Sequence, residues 1–171
     1  MSLGNDTFRY RNGDTCPVQV AFDQTTGGGA FPISIGDMCW IDSSDGFKVK
    51  AADAFAWTTN LATTQQNFAP VFAGVSAQLW DGTNLQAYGI KDGLLRIDTA
   101  GVFEFACAAN SSFNAGDLVG PDKAAGNALL SQQVVAVSNK NQAIGRVARA
   151  VTGASTVQVE IFAAKFNLGF N

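Results

Sequence analysis

The sequence contains no histidine, and only two of its acidic residues, Glu104 and Glu160, are glutamates. Without imidazole, Ser-His-Asp and Cys-His nucleophiles and histidine-ligated metal sites are excluded. Acid–base chemistry would rest on aspartates, whose ordinary pKa lies well below neutral pH. We therefore predict a protein that is not an enzyme, with no catalytic residues, no cofactor and no metal.

Cysteine is also scarce, since the chain has only Cys16, Cys39 and Cys107. Their number is odd, and their spacing matches neither a CxxC pair nor a metal site. Cys39 and Cys107 have apolar neighbours, which predicts buried, reduced thiols. The pattern favours assembly in a reducing cytoplasm over a secreted disulfide scaffold.

Positive charge is sparse, with 11 Lys and Arg against 14 Asp and Glu and a net charge of −3. The cations are scattered apart from FRYR at residues 8–11, so the basic stripe of a nucleic-acid groove is missing. The first residues, MSLGNDTFRYRNGD, lack the apolar core of a signal peptide. No apolar run approaches the length of a membrane span. We expect a soluble protein with no nucleic-acid and no membrane partner.

The chain does contain short segments in which apolar and polar residues alternate with period two. Gly, Asp, Asn and Pro bound these segments, and this pattern is the signature of short strands. In TVQVEIF, for example, Val157, Val159 and Ile161 share one face and Glu160 lies on the other. Glu104 is expected opposite Phe103 in the same way. The candidate strands are residues 18–22, 38–41, 47–50, 71–78, 94–98, 102–107, 118–120, 128–130, 144–151 and 156–162.

The sequence therefore predicts an all-β fold, a β-barrel or β-sandwich of short antiparallel strands with at most one short helix. Residues 58–67 suit either that helix or a polar loop, and residues 131–139 are ambiguous between strand and helical turn. Residues 151–155, VTGAS, are expected to form a short hairpin loop.

One phrase occurs twice, at residues 33–50 and 113–130, with four matched positions displaced by 80 residues. In each copy Gly-Asp predicts a tight turn, the next aspartate caps a short strand, and the following glycine turns the chain into a second strand. We interpret the phrase as an internal duplication; convergence of common turn residues is the alternative. The predicted structural turn residues are Gly36, Asp37, Asp42, Gly46, Gly116, Asp117, Asp122 and Gly126.

Each copy continues to a strand centred on glycine, Gly74 or Gly145, and the intervals from Gly36 and Gly116 differ by nine residues. We predict repeat-like halves at residues 33–78 and 113–151, lying in one barrel and related by a pseudo-twofold axis. The predicted division is an N-terminal arm with the first strand (1–30), a single barrel domain (31–162) and a C-terminal tail (163–171).

The segment GDLVGPD, followed by AIGRVARAVTGASTVQVEIF, resembles the small β-barrel proteins that decorate or cement tailed-phage capsids. The resemblance covers residues 113–162 and, more loosely, residues 33–78; Arg146 and Val147 depart from its usual Val-Ala. It implies a structural virion protein on the capsid surface, assembled in the host cytoplasm. The implied partners are the major capsid protein and other copies of this chain, as a homotrimer.

Composition agrees with an adhesive protein, because only 15% of residues are charged, against about a quarter in typical domains. A chain that buries surface against neighbours needs less charge for solubility. The N-terminal aromatic–cation alternation suits either an arm pairing with a neighbouring chain or an edge strand of the same barrel. The C-terminal phenylalanines suit either the parent barrel or an adjacent subunit. The candidate inter-subunit contacts are Phe8, Arg9, Tyr10, Arg11, Phe166 and Phe170.

Other functions are weaker alternatives. Asp37, Asp42 and Asp45 suggest calcium, but their spacing does not match an EF-hand and aspartate is an ordinary turn residue. A carbohydrate-binding or head-fibre module would stack Trp40, Trp57 or Trp80 on a sugar, although a tryptophan in a β core is commoner. A hydrolase with two carboxylates would need a pair of acids in a cleft.

Overall fold

The computed structural model describes residues 10–12, 16–24, 31–83 and 93–163. The all-β prediction is confirmed, with eleven strands and one short α-helix in these ranges. The strands are β1 (Tyr10–Asn12), β2 (Pro17–Ala21), β3 (Met38–Asp42), β4 (Lys48–Ala51), β5 (Phe72–Ser76), β6 (Leu94–Asp98), β7 (Ala100–Phe113), β8 (Leu118–Ala124), β9 (Ala128–Ala136), β10 (Gly145–Val147) and β11 (Val151–Phe162). The helix is α1 (Leu61–Phe68), and short 3-10 turns lie at Ser43–Asp45, Ala52–Ala54, Ala69–Val71 and Lys140–Gln142.

The strands form two sheets with the same internal order. One sheet runs β2-β6-β5-β3-β4, and the other runs β7-β11-β10-β8-β9 with β1 added beside β7. In each sheet a parallel contact joins the first and last strands of that order, Phe22 with Val49 and Ala106 with Gln133. We call residues 17–98 the first repeat and residues 100–162 the second repeat.

The pairing of β3 with β5 in the first repeat matches the pairing of β8 with β10 in the second. Cys39 pairs with Gly74 in the first repeat, and Val119 pairs with Gly145 in the second. Since Cys39 and Val119 are 80 positions apart, the displacement of the repeated phrase is also that of the strands. The duplication is therefore present in the fold. Each copy has a sheet of its own, which corrects the expectation that both would share one barrel.

The two Gly-Asp turns make matching hydrogen bonds in the two repeats. The Gly36 amide donates to the Ser76 carbonyl at 2.8 Å, and the Gly116 amide donates to the Val147 carbonyl at 2.8 Å. The carboxylate of Asp37 accepts from the Ser34 amide at 2.7 Å, as that of Asp117 accepts from the Asn114 amide at 2.8 Å. Both glycines have positive φ, 92° and 91°, a conformation that L side chains rarely adopt.

The inward-facing residues of the alternating strands form two apolar clusters. Val157, Val159 and Ile161 are buried while Glu160 is partly exposed, and Glu104 stands between buried Phe103 and Phe105, as predicted. The first-repeat sheet encloses a cluster that includes Phe22, Leu95 and Trp80. The larger cluster fills the second-repeat sheet and extends to the outer face of the first repeat at Met38, Phe68, Phe72 and Val75.

The helix explains the nine-residue difference between the repeats. Asn60 caps α1 by accepting from the Thr63 amide at 2.9 Å, and Pro70 follows its end, so residues 58–67 contain the helix rather than a polar loop. Between β9 and β10 the second repeat has only the turn Lys140–Gln142. The helix thus belongs to the first repeat alone.

Two local predictions are wrong. Residues 151–155 are paired in β11 rather than forming a loop, because β7 extends to Phe113 and offers them a partner. Gly153, at φ 62°, is accommodated where the register shifts between Val151 and Thr156. The strand predicted at residues 144–151 is shorter than expected, since β10 covers only Gly145–Val147. The ambiguous residues 131–139 are strand as far as Ala136.

The thiols behave as predicted: Cys39 and Cys107 are buried and free, and Cys16 is exposed. No helix within the described residues combines the length and apolar character that crossing a membrane requires. The predicted division at residues 30 and 162 stays a prediction.

Candidate functional site

The β3–β4 hairpin exposes an aromatic side chain at its tip. Asp42 caps the 3-10 turn Ser43–Asp45 through the Ser44 amide at 2.9 Å, and Gly46 then takes φ 65°. The next residue, Phe47, has φ 61° and is 63% exposed. A bulky residue in the left-handed region is uncommon and strained, by about 1–2 kcal/mol.

An ionic cluster fixes the base of this tip. Lys50 Nζ lies 2.9 Å from Asp42 Oδ2 and 3.2 Å from Asp45 Oδ2, and Lys48 Nζ lies 3.1 Å from Asp45 Oδ1. The Ser44 hydroxyl and then the Lys50 ammonium hold the pKa of Asp42 at about 2. Several charges joined in a network restrain side chains more firmly than an isolated surface pair.

The same cluster joins a second exposed ring to the hairpin. Lys50 Nζ stands 4.9 Å from the ring centroid of Phe31, which is 38% exposed. Phe31 and Phe47 are the large apolar side chains that the described part of the chain exposes most. We call Phe31, Phe47 and the four charged residues Asp42, Asp45, Lys48 and Lys50 the aromatic tip.

The second repeat closes the β8–β9 hairpin with a shorter loop, residues 125–127 against 43–47, that also ends in two residues of positive φ but contains no aromatic residue. Gly126 and Asn127, 80 positions after Gly46 and Phe47, have φ 96° and 60°. Asparagine tolerates the left-handed region because its short polar side chain bonds locally. The turn therefore does not require phenylalanine, and the identity of residue 47 is not explained by folding.

An apolar hollow lies on the outer face of the second repeat. Two adjoining openings of about 470 and 400 Å³ share Ala143. We call this surface the second-repeat groove, and the residues lining it are Gln66, Ala69, Pro70, Leu118, Lys140, Asn141, Ala143, Ile144, Gly145 and Arg146.

The equivalent face of the first repeat is covered. The registers Met38–Val75 and Leu118–Arg146 make Leu118 the counterpart of Met38 and Arg146 that of Val75. Met38 and Val75 are fully buried, whereas Leu118 is half-buried and Arg146 is exposed. In the first repeat, α1 covers this face through Phe68, 6.0 Å from Phe72 between ring centroids. The second repeat has no helix of its own here, and α1 with the 3-10 turn after it only borders the face, at Gln66, Ala69 and Pro70, so a hollow remains.

The structure places the predicted turn residues at turns, with one exception. Gly36, Gly46, Gly116 and Gly126 all have positive φ. Asp122 does not cap a strand end, because β8 continues to Ala124. Its carboxylate instead accepts from Gln133 Nε2 at 2.8 Å and from the Lys123 amide.

The predicted inter-subunit contacts are placed only in part. Tyr10 and Arg11 lie in β1, where Tyr10 is paired with Phe103 of the same chain. That position corresponds to the edge-strand alternative. Phe8, Arg9, Phe166 and Phe170 lie outside the described residues.

The residues considered for the calcium and hydrolase alternatives make other contacts in the structure. Asp37 turns toward Gln132, whose Nε2 donates to Oδ1 at 2.9 Å, away from Asp42 and Asp45. In the described ranges no three His, Cys, Asp or Glu side chains group closely enough to hold a metal. The hollow beside Glu104, about 180 Å³, contains Arg149 and no second carboxylate among its described lining residues.

The tryptophans pack inward. Trp80 is fully buried beside Phe22, with ring centroids 5.5 Å apart, so it offers no face to a sugar. Trp40 is half-buried against Phe55 and donates from Nε1 to the Ala51 carbonyl at 3.1 Å. Trp57 is half-buried against the larger cluster.

Sequence reasoning missed both the aromatic tip and the second-repeat groove. One signal was present: aligning the repeated phrase sets Phe47 against Asn127, and a turn that asparagine satisfies does not call for phenylalanine. The groove has no comparable signal, because it arises from a helix that only one repeat carries.

No family model matches the chain, and no curated protein is significantly similar to it.

Proposed function

We propose that the chain is a structural virion protein that binds the outside of a phage capsid and stabilises the shell as a decoration subunit. The observation that carries the proposal is that each repeat leaves one apolar surface uncovered, the aromatic tip on the first and the second-repeat groove on the second. A single chain thus has two separate surfaces with which to join neighbours.

The aromatic tip has the character of a binding anchor. Aromatic side chains contribute most of the energy at many protein interfaces, and here the ionic cluster restrains the hairpin that carries the ring. Burying Phe47 would contribute about 1.5–3 kcal/mol. Each such contact is modest, but copies joined to one another attach to one shell multivalently and so bind it strongly.

The low charge of the chain supports the same function, since a surface covered on a shell needs fewer charges than a free monomer. The partners proposed are the major capsid protein and other copies of this chain, as a homotrimer. The proposed location is the capsid surface of the virion.

The test is to mix the purified chain with empty capsids of the phage that encodes it and to separate bound from free protein by sedimentation. We expect saturable binding at a fixed ratio to the major capsid protein and a higher temperature of capsid disruption. A variant carrying both Phe47→Asn and Ala143→Arg should bind at least tenfold more weakly. The control is Thr152→Arg, an exposed position on β11 away from both surfaces, which should bind normally.

Absence of binding at any concentration, together with unchanged capsid stability, would reject the proposal. A glycan array that gives clear hits lost on Trp40→Ala would favour the carbohydrate-binding alternative instead.

A further inference from the structure

The two repeats differ at two surface positions that folding does not explain. At the hairpin tip the first repeat has Phe47 where the second has Asn127, with nearly equal φ of 61° and 60°. On the outer sheet face the first repeat has α1 over Phe72, whereas the second leaves Ala143 in an open hollow. One repeat therefore carries an uncovered aromatic ring, and the other carries an uncovered apolar recess.

The recess is large enough for the ring. A cavity of about 150 Å³ already holds benzene, and the two openings measure about 470 and 400 Å³. Ala69, Leu118 and Ala143 supply apolar walls, while Lys140 and Arg146 are exposed at the rim. An apolar centre within a polar rim is the usual anatomy of a protein interface.

The charges at the rim are compatible with an aromatic occupant and disfavour a basic one. Arg146 is already paired with Glu160 at 2.7 Å, and Lys140 forms no ion pair among the described residues. An ammonium group near an aromatic face is attractive, and the aromatic tip already uses this interaction between Lys50 and Phe31 at 4.9 Å. Lys140 is placed to make the corresponding contact with an incoming ring.

We propose that the aromatic tip of one copy of this chain docks in the second-repeat groove of another copy, with Phe47 inserted beside Ala143. The inference rests on the proposed function, because it names the contact through which decoration subunits join one another. Tip and groove are different surfaces, so the contact is heterologous. It closes into a ring if the rotation allows, and the homotrimer is then a ring of three copies.

Two single substitutions test the contact, one on each side. Phe47→Asn removes the ring and installs a residue type that tolerates the left-handed φ of 61° at this position, so we expect the fold to be retained. Ala143→Arg fills the groove with a long charged side chain at a half-buried position open to solvent. By sedimentation equilibrium, we expect self-association of the unmodified chain and at least tenfold weaker association of each variant alone. Thr152→Arg, which adds the same charge elsewhere, should associate normally.

Mixing the two variants gives the decisive result. The Phe47→Asn chain keeps its groove and the Ala143→Arg chain keeps its tip, so one intact contact remains possible between them. We expect a one-to-one heterodimer in native mass spectrometry and nothing larger, at a protein concentration tenfold above the association midpoint of the unmodified chain. Failure of the mixture to pair would overturn the proposal, as would unmodified chain that stays monomeric or Phe47→Asn chain that associates normally.

The outcome is separable from that of the proposed function. Heterodimers together with absent capsid binding would retain the contact and reject decoration. Capsid binding by a chain that shows none of these associations would retain decoration and reject the contact.

Discussion

At the scale of single residues, the duplication supplies its own controls. Phe47 and Asn127 each end a hairpin loop with the same sign of φ, but only asparagine suits it. We expect Phe47→Asn to stabilise the protein by about 0.5–1 kcal/mol, since relief of strain outweighs the small area that an exposed ring buries. Thermal melting measures the change, as a rise of about 1–4 °C.

The reciprocal substitution, Asn127→Phe, is the matched control and should destabilise by about 1 kcal/mol. A Phe47→Asn chain that melts lower than the unmodified protein would mean that the ring at position 47 stabilises the fold. Folding would then explain the phenylalanine, and the argument that it is a binding residue would fail.

Gly145 is required for a different reason, because its strand passes close to β11. A Cβ at this position would lie 2.3 Å from the Glu160 carbonyl oxygen, a backbone atom that cannot swing aside. We predict that Gly145→Ala destabilises by about 2–3 kcal/mol through overpacking. Urea unfolding measures the loss.

Gly153→Ala is the comparison, because Gly153 has φ 62° and no atom within 4 Å of its added Cβ. It should cost only about 1 kcal/mol, the strain of the left-handed conformation. Equal losses at the two positions would contradict a steric role for Gly145.

At the scale of elements, the β3–β4 hairpin links its stability to pH through Asp42. Its pKa falls from 3.8 to about 2 on folding, so the folded state binds the proton less tightly than the unfolded state does. The stabilisation by Asp42 is therefore complete above pH 3.8 and is lost as the pH falls towards 2. Ser44→Ala and Lys50→Gln should each raise this pKa.

Carbon-13 NMR of the Asp42 carboxyl group measures that pKa directly. Lys48→Gln is the control, because Lys48 bonds Asp45 and not Asp42. An Asp42 pKa unchanged by Ser44→Ala and by Lys50→Gln would show that these contacts do not hold the hairpin in solution.

The elements also show what the sequence could predict. Strand β6 has its predicted bounds, residues 94–98, because alternation and flanking turn residues are both local signals. The duplication could likewise be predicted from the sequence, because Gly-Asp turns impose fixed residue types. Residues 151–155 were misread as a loop, since pairing with the far end of β7 depends on a partner distant in sequence. The groove could not be predicted for a similar reason, because its lining joins α1 and the turn after it to β8, β10 and the turn Lys140–Gln142, which are distant in sequence.

At the scale of the whole molecule, the two repeats share one apolar cluster and several hydrogen bonds, one of them buried. Met38 and Phe72 of the first repeat belong to the same cluster as Phe103 of the second. Across the junction, Gln65 Nε2 donates to the Pro121 carbonyl at 2.8 Å. Neither sheet can lose its partner without exposing buried apolar side chains, so we expect the repeats to unfold together.

This cooperativity has a direct test, because all three tryptophans, Trp40, Trp57 and Trp80, lie in the first repeat. Trp40 and Trp57 also pack against the shared cluster, so the fluorescence of Trp80 in a Trp40→Phe, Trp57→Phe chain reports the first repeat, whereas far-ultraviolet circular dichroism reports both. Gly145→Ala perturbs only the second repeat, yet in a cooperative molecule it should lower both melting curves by the same amount. A fluorescence midpoint left unchanged while the dichroism curve splits would mean two independent repeats. Tip and groove would then be free to move relative to each other, and the rigid spacing that ring closure between copies requires would be lost.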